Sequence, residues 1–361
     1  MIDLRSDTCS KPTDEMREAM ARAVVGDDVY GDDPTVKELE AEVASILGTE
    51  DAVYVASGSM SNQLAVRSHT EAGDAVLVDQ HAHVYLNETG ALSAIGGVLP
   101  RPLPGVRGIF TADDVHQIFG YPHRFSITTL AAPPKLLCVE NTHNMGGGKV
   151  WSLDQIKSVT GAARERGLKL HVDGARLWHA SIASGTPEKT YAQYFDSISV
   201  CFSKGLGAPV GSALCGKRDF ISRARRFKQQ FGGGFRQAGI IAAGALHALR
   251  HHRTRLAEDH VHAKLLAEGI ASSQGIDLDP STVETNIVRF KLSNMEAGPF
   301  VDQVYAKGLY VLATGSDAVR AIPYLNISKA QILEAIEIIR AVAGSGSVGR
   351  ERVAVQHGAN Y

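Results

Sequence analysis

The run Ser199-Val200-Cys201-Phe202-Ser203-Lys204-Gly205-Leu206-Gly207 stops a short apolar segment abruptly at a lysine followed by glycines. It reads as a buried strand that delivers one amine to its end, then a loop. An ammonium at the mouth of a buried strand is costly unless it is paired, shifted in pKa or bonded covalently. A desolvated amine can form a Schiff base with an aldehyde cofactor, pyridoxal phosphate. The plainer alternative is a Lys204 that lays its stem on apolar surface and keeps its head in water.

About thirty residues earlier, Leu168-Lys169-Leu170-His171-Val172-Asp173 is a second strand-like run, and it ends in an acid. A carboxylate there can keep a pyridine nitrogen protonated, so that the ring accepts electrons from a substrate Cα. Asp173 could instead cap the helix that follows. The spacing between the two runs fits neighbouring parallel strands joined by a crossover helix. Arg176 follows Asp173 closely and could hold a carboxylate by a bidentate pair, or form a surface salt bridge.

Other stretches supply complementary chemistry. Asp51–Ser57 reads as a strand, and Gly58-Ser59-Met60 turns it into a helix. Free N–H groups and the helix dipole at such a turn suit a phosphate. The dinucleotide fingerprint and the Walker A pattern are both absent, which disfavours nucleotides. His83 lies just beyond the strand Ala75–Val78, where it could stack on a ring or be an ordinary loop histidine. Gly232-Gly233-Gly234 before Arg236 suits a backbone packed closely at a subunit seam or a phosphate. Asp27, Asp28, Asp32 and Asp33 crowd one loop, either as a cation site or simply solvated.

The elements that must position these groups alternate along the chain. A helix is expected over 13–25, capped by Thr13. Another starts at Asp33-Pro34 and is stopped by Gly48. A helical pattern covers 86–95, and Ser152 with Gln155 forms a capping box. From about residue 253, helices alternate with short strands, which marks a smaller C-terminal domain. The expected division is 1–252 for the large domain, 253–343 for the small one and 344–361 for a disordered tail.

Composition sets the outer limits. The net charge of −2 on 361 residues gives no basis for nucleic acid as the main partner. No apolar run reaches the roughly 20 residues of a membrane span, and the N-terminus lacks the order of a signal peptide. The four cysteines are scattered and look like small buried hydrophobes rather than a disulfide framework or a metal site. The expectation is a cytoplasmic protein with no metal.

The chain resembles the L-threonine aldolases, of the β-eliminating-lyase branch of the aspartate-aminotransferase-like fold. The likeness rests on Asp3–Thr8, Val25–Pro34, Glu140-Asn141-Thr142-His143-Asn144, His171–Arg176, Ser203–Ser212 and Gly232–Gln237. It implies an α/β, fold type I enzyme dependent on pyridoxal phosphate, with a mostly parallel seven-stranded sheet and a small C-terminal α/β domain. It implies a homotetramer built from dimers, with active sites at the dimer interface. The cofactor would be held by Lys204, Gly58, Ser59, Met60, His83, Asp173, Ser203 and Arg236. The substrate carboxylate would be held by Ser6, Arg176 and Arg320. Catalysis would rest on Lys204, Asp173 and His83 as base on a β-hydroxyl, with His123 the nearest candidate for a second histidine. Tyr324 stands where relatives often carry histidine.

The implied reaction is retro-aldol cleavage of L-threonine, L-allo-threonine or another β-hydroxy-α-amino acid to glycine and an aldehyde. Other outcomes on the same cofactor are β-elimination, racemisation and transamination. A relative without catalysis, serving as a binding protein, is the alternative of a different class.

Overall fold

The computed structural model describes residues 1–120, 124–125 and 127–345. The chain opens with a two-residue strand, β1 (Ile2–Asp3). Seven strands then build the main sheet: β2 (Asp51–Val55), β3 (Ala75–Asp79), β4 (Leu99–Leu103), β5 (Pro134–Glu140), β6 (Lys169–Gly174), β7 (Ser197–Cys201) and β8 (Ser212–Gly216). Their order is β2-β8-β7-β6-β5-β3-β4. Only β8 runs against its neighbours, pairing antiparallel with both β2 and β7. The remaining pairs are parallel, so the mostly parallel seven-stranded sheet expected from the sequence is present.

Strands of such a sheet are covered on both faces, and their sequences are apolar throughout. β3 reads Ala-Val-Leu-Val-Asp, and every residue of it is buried. Helices close both faces. The helix Pro34–Leu47 starts where Asp33 accepts from the Val36 N–H at 3.0 Å and ends at Gly48, whose φ of 67° takes the left-handed turn. Such a cap contributes about 1 kcal/mol. Val36, Leu39, Val43 and Leu47 form its buried stripe. The Ser152–Gln155 capping box forms as the spacing predicts.

Two helical expectations change. The first helix, capped by Thr13, ends at Ala21, which leaves Val24 and Val25 exposed beyond it. The helix expected over 86–95 is two short ones, His83–Leu86 and Ala91–Ala94. Thr89 and Gly90 between them take φ values of 51° and 73°, a left-handed backbone that no continuous helix can hold.

Beyond the main sheet, β9 (Ile276–Asp277), β10 (Val288–Leu292), β11 (Leu309–Tyr310), β12 (Leu312–Ala313) and β13 (Ala318–Ala321) follow. Four of them form an antiparallel sheet in the order β12-β13-β10-β9. The helices Leu256–Ala271 and Lys329–Gly344 share an apolar cluster with it. The N-terminal segment, grouped with the large domain on sequence grounds, lends Ile2 and Leu4 to this C-terminal cluster, because β1 pairs in parallel with β11. The last helix extends to Gly344, the residue where a tail was expected to begin. Among the described residues, no helix is long and apolar enough to cross a membrane.

Candidate active site

Register sets Glu140, the last residue of β5, opposite Asp173 near the end of β6, and Asp173 opposite Ser199 in the middle of β7. The carboxyl edge of an open α/β sheet is where ligands bind. Lys204 follows β7 in the loop to β8, between the fully buried anchors Phe202 and Leu206. Its Nζ lies 3.5 Å from Cys201 Sγ, and its carbonyl accepts from Ser10 Oγ at 2.8 Å. The helix Gly58–His69 begins against the same place. A Cβ on Gly58 would come within 2.8 Å of Cys201 Sγ, so only glycine lets this helix start so close to the lysine strand.

Asp173 is buried, and its oxygens accept from Asn62 Nδ2 at 2.8 Å and from the Ala175 N–H at 3.1 Å. It does not cap the next helix, whose N-cap is Arg176 without a side-chain bond. Burial opposes its ionisation. The charges of His83 and Lys204 and the two hydrogen bonds outweigh that and hold its carboxyl below the usual range. Both bonded partners are neutral donors, so a cationic N–H on a ligand would complete the site.

His83 and Glu88 build the wall beside Asp173. His83 donates its backbone N–H to Glu140 Oε2 at 2.7 Å, and its Nδ1 lies 3.0 Å from Glu88 Oε1. Burial alone would lower the imidazole pKa. The bond to Glu88 and the charges of Asp173 and Glu140 raise it above the ordinary value. Glu88 also accepts from Asn62 Nδ2 at 2.9 Å and from Gln63 Nε2 at 2.6 Å. Asn62 thus spans the two carboxylates with one amide nitrogen, and its Oδ1 lies 3.1 Å from His171 Nε2. Burial pushes His171 down to about 4, which keeps it neutral. The donor atoms of His83, Glu88 and Asp173 all lie within 4.8 Å of one another, with the Asn62 amide bonded to both acids.

Two arginines that feel each other's charge, Arg176 and Arg320, meet the N-terminal segment. Arg176 was expected to offer its fork to a substrate, but Asp7 occupies it: Nε and Nη2 donate to the Asp7 carboxylate at 2.7 Å each, with both residues buried. Burial resists the charge on Asp7, and Arg176 overcomes it, holding that carboxyl well below its usual range. Arg320 donates through Nη1 to Asn144 Oδ1 at 2.8 Å and through Nη2 to the Arg5 carbonyl at 3.2 Å. Its Nε is buried without a partner among the described residues. Burial first, and then the charge of Arg176, pull Arg320 down to about 10. Two guanidiniums that repel each other, one with an unpartnered buried N–H, call for an anion. Ser6 Oγ accepts from the N–H and the hydroxyl of Thr8, which leaves its own proton to donate.

Other expected residues fall differently. The Met60 N–H is taken by Ser57 Oγ, so the free donors at the helix start are those of Gly58 and Ser59. Ser203 is half-buried beside Lys204. Arg236 is not drawn into the cluster; it pairs with Asp27 at 3.0 Å and remains 64% exposed. In the acidic loop Asp28 pairs with Lys228 at 2.7 Å, and Asp33 caps a helix. Tyr324 is buried in the C-terminal cluster. His123 lies outside the described residues.

Sequence reasoning did not single out Asn62, Glu88 or Asp7. Asn62 was within reach, because it lies four residues after Gly58 and so shares its helix face. Glu88 was hidden by the false helix over 86–95, and Asp7 by its place in an aperiodic segment.

Residues 3–293 match the family model described as beta-eliminating lyase. The low specificity L-threonine aldolase of Escherichia coli (strain K12) is 41% identical over 336 residues, which cover 92% of this chain and 97% of that one. Low-specificity L-threonine aldolase 1 of Arabidopsis thaliana is 38% identical over 336 residues, covering 92% and 93%. The solved threonine aldolase of Leishmania major superposes with a TM-score of 0.79 at 18% identity, covering 95% of this chain and 100% of that one. The sheet edge that gathers Lys204 and Asp173 lies wholly inside the matched span, and the likeness extends on both sides of it, so this protein belongs to the beta-eliminating lyase family.

Proposed function

We propose that the protein is a pyridoxal-phosphate-dependent lyase that cleaves L-threonine and related β-hydroxy-α-amino acids to glycine and an aldehyde. The observation that carries this reading is the convergence of the Lys204 amine, the buried Asp173 carboxylate and His83 at one sheet edge, with the Arg176–Asp7 pair close enough for Asp7 to feel the Lys204 charge. The donor set fits the cofactor. Lys204 is the amine for its aldehyde, Asp173 the acceptor for its ring N–H, and the Gly58 and Ser59 N–H groups are donors for its phosphate. When bound, it supplies an electron sink for the pair released at Cα.

The chain's own residues do the rest. Arg176 offers Nη1 and Arg320 its unpartnered Nε to the substrate carboxylate, with Ser6 donating its hydroxyl. Each guanidinium therefore contributes one direction rather than a fork. Glu88 at Nδ1 fixes His83 so that Nε2 keeps a lone pair for the β-hydroxyl proton. As that proton moves to Nε2, the Cα–Cβ bond breaks, the aldehyde departs, and Cα takes a proton to become glycine. Asp173, held ionised by its neighbours, would accept the hydrogen bond of the cofactor's ring N–H.

On this reading the protein supplies glycine in the cytoplasm as a homotetramer, a dimer of dimers. The exposed Val24, Val29 and Tyr30 support an interface along the acidic loop beside Arg236. Light scattering at micromolar protein tests it, and a monodisperse monomer refutes it.

The reaction is tested by incubating holoenzyme with L-threonine and assaying acetaldehyde, glycine and ammonia together. Equal acetaldehyde and glycine with no ammonia is expected. Ammonia with a 2-keto acid and no acetaldehyde would transfer the protein to β-elimination. Lys204→Ala is expected to lose the cofactor's visible band and cleavage together.

A further inference from the structure

The helix Gly239–His251 carries His247 and His251 one turn apart at its end, with His252 next in the chain. The ring centres of His247 and His251 are 4.5 Å apart, and the His252 ring stands 5.3 Å from that of His247, edge to face. His251 is exposed and His247 half-buried, so both rings reach water. His252 is buried, and its Nδ1 lies 2.7 Å from the Leu206 carbonyl. A carbonyl only accepts, so Nδ1 is the donor in this contact. Glu15, on the neighbouring helix Asp14–Ala21, interacts electrostatically with His247 and His252.

We propose that His247 and His251 form a surface site for a borderline divalent transition metal such as Zn²⁺, with Glu15 the balancing charge and His252 packed beside the pair. Two histidines four residues apart on a helix present their nitrogens to one ion. Nitrogen donors select zinc, nickel or copper over magnesium or calcium, which take oxygen ligands. The site lies outside the catalytic cluster. His252, packed against His247, ties it to that cluster through the Leu206 carbonyl of the lysine loop.

The test is a calorimetric titration of holoenzyme with Zn²⁺, compared with the double variant His247→Ala/His251→Ala and with Mg²⁺ as a control. One zinc per chain is expected, with affinity at least tenfold weaker in the double variant and threonine cleavage without zinc the same in both. Magnesium is expected not to bind there. A double variant that binds zinc as tightly as the parent overturns the site. So does a parent that binds no zinc, or one whose magnesium binding depends on these histidines.

Discussion

The Glu88 carboxylate touches three side chains around Asp173: Asn62, Gln63 and His83. In the proposed reaction His83 is the base, and Glu88 then sets the pH range through it. A base must be neutral to take the β-hydroxyl proton, so cleavage falls as pH drops through the pKa of His83. That pKa stands above its ordinary value because Glu88, Asp173 and Glu140 together outweigh burial. Glu88→Gln removes one negative charge and leaves burial in place, so the pKa falls. The acid limb of kcat/KM for threonine is therefore expected to move to lower pH. The plateau should drop about tenfold as His83 loses part of its orientation. A limb that stays where it was would show that His83 is not the titrating base.

The turn Val106–Ile109 positions the wall behind His83. Its central residues Arg107 and Gly108 have φ of 54° and 84°, the left-handed pair that two-residue hairpins adopt. Arg107 donates from Nε to the Gly146 carbonyl at 3.0 Å and from Nη2 to the Thr282 carbonyl at 2.9 Å, tying the turn to the loop after β5. A Cβ on Gly108 would overlap the His143 ring. That ring faces Asp79 at 3.0 Å and accepts the Gly146 N–H. Gly108→Ala is thus expected to cost about 2 kcal/mol or more in chemical denaturation, from backbone strain and overpacking combined. Unchanged stability would mean that the turn yields without disturbing His143. Elements of this kind were partly legible. The caps at Thr13, Asp33 and Ser152 could be read because each is a local contest between a side chain and the backbone. The break at 87–90 could not, because hydrophobic period does not register a left-handed Thr89.

Across the molecule, the first twelve residues join the two sheets to the site. Ile2 and Leu4 are buried with the C-terminal helices, Asp7 holds Arg176, the Arg5 carbonyl holds Arg320, and Ser10 rests on the Lys204 carbonyl. Deleting residues 1–12 removes two buried aliphatic side chains worth about 1.5–3 kcal/mol each. It also leaves Arg176 buried without its carboxylate, at a cost of about 3–5 kcal/mol. A large fall in Tm is expected, with KM for threonine raised about tenfold or more in whatever remains folded. Asp7→Asn, which keeps the segment, separates the two effects. It is expected to raise KM with a smaller loss of stability, and a parental KM in that variant would free Asp7 from any part in carboxylate binding.

The lysine just after one strand and the aspartate near the end of its neighbour were determined by the sequence itself. Each is a local pattern: an apolar run of strand length, then a charged residue that the run cannot bury cheaply. Which groups meet Asp173, and what holds the arginines, was decided only by tertiary structure. Asn62, Glu88 and Asp7 lie far from Asp173 or Arg176 along the chain and reach them through strand register and the fold of the N-terminal segment. Arg236 shows the same limit from the other side. Its motif was plain in the sequence, yet within this chain its guanidinium lies with Asp27 at the surface. A side chain's type is written in the sequence, whereas its partner is set by contacts between distant segments, which form only once the core has closed.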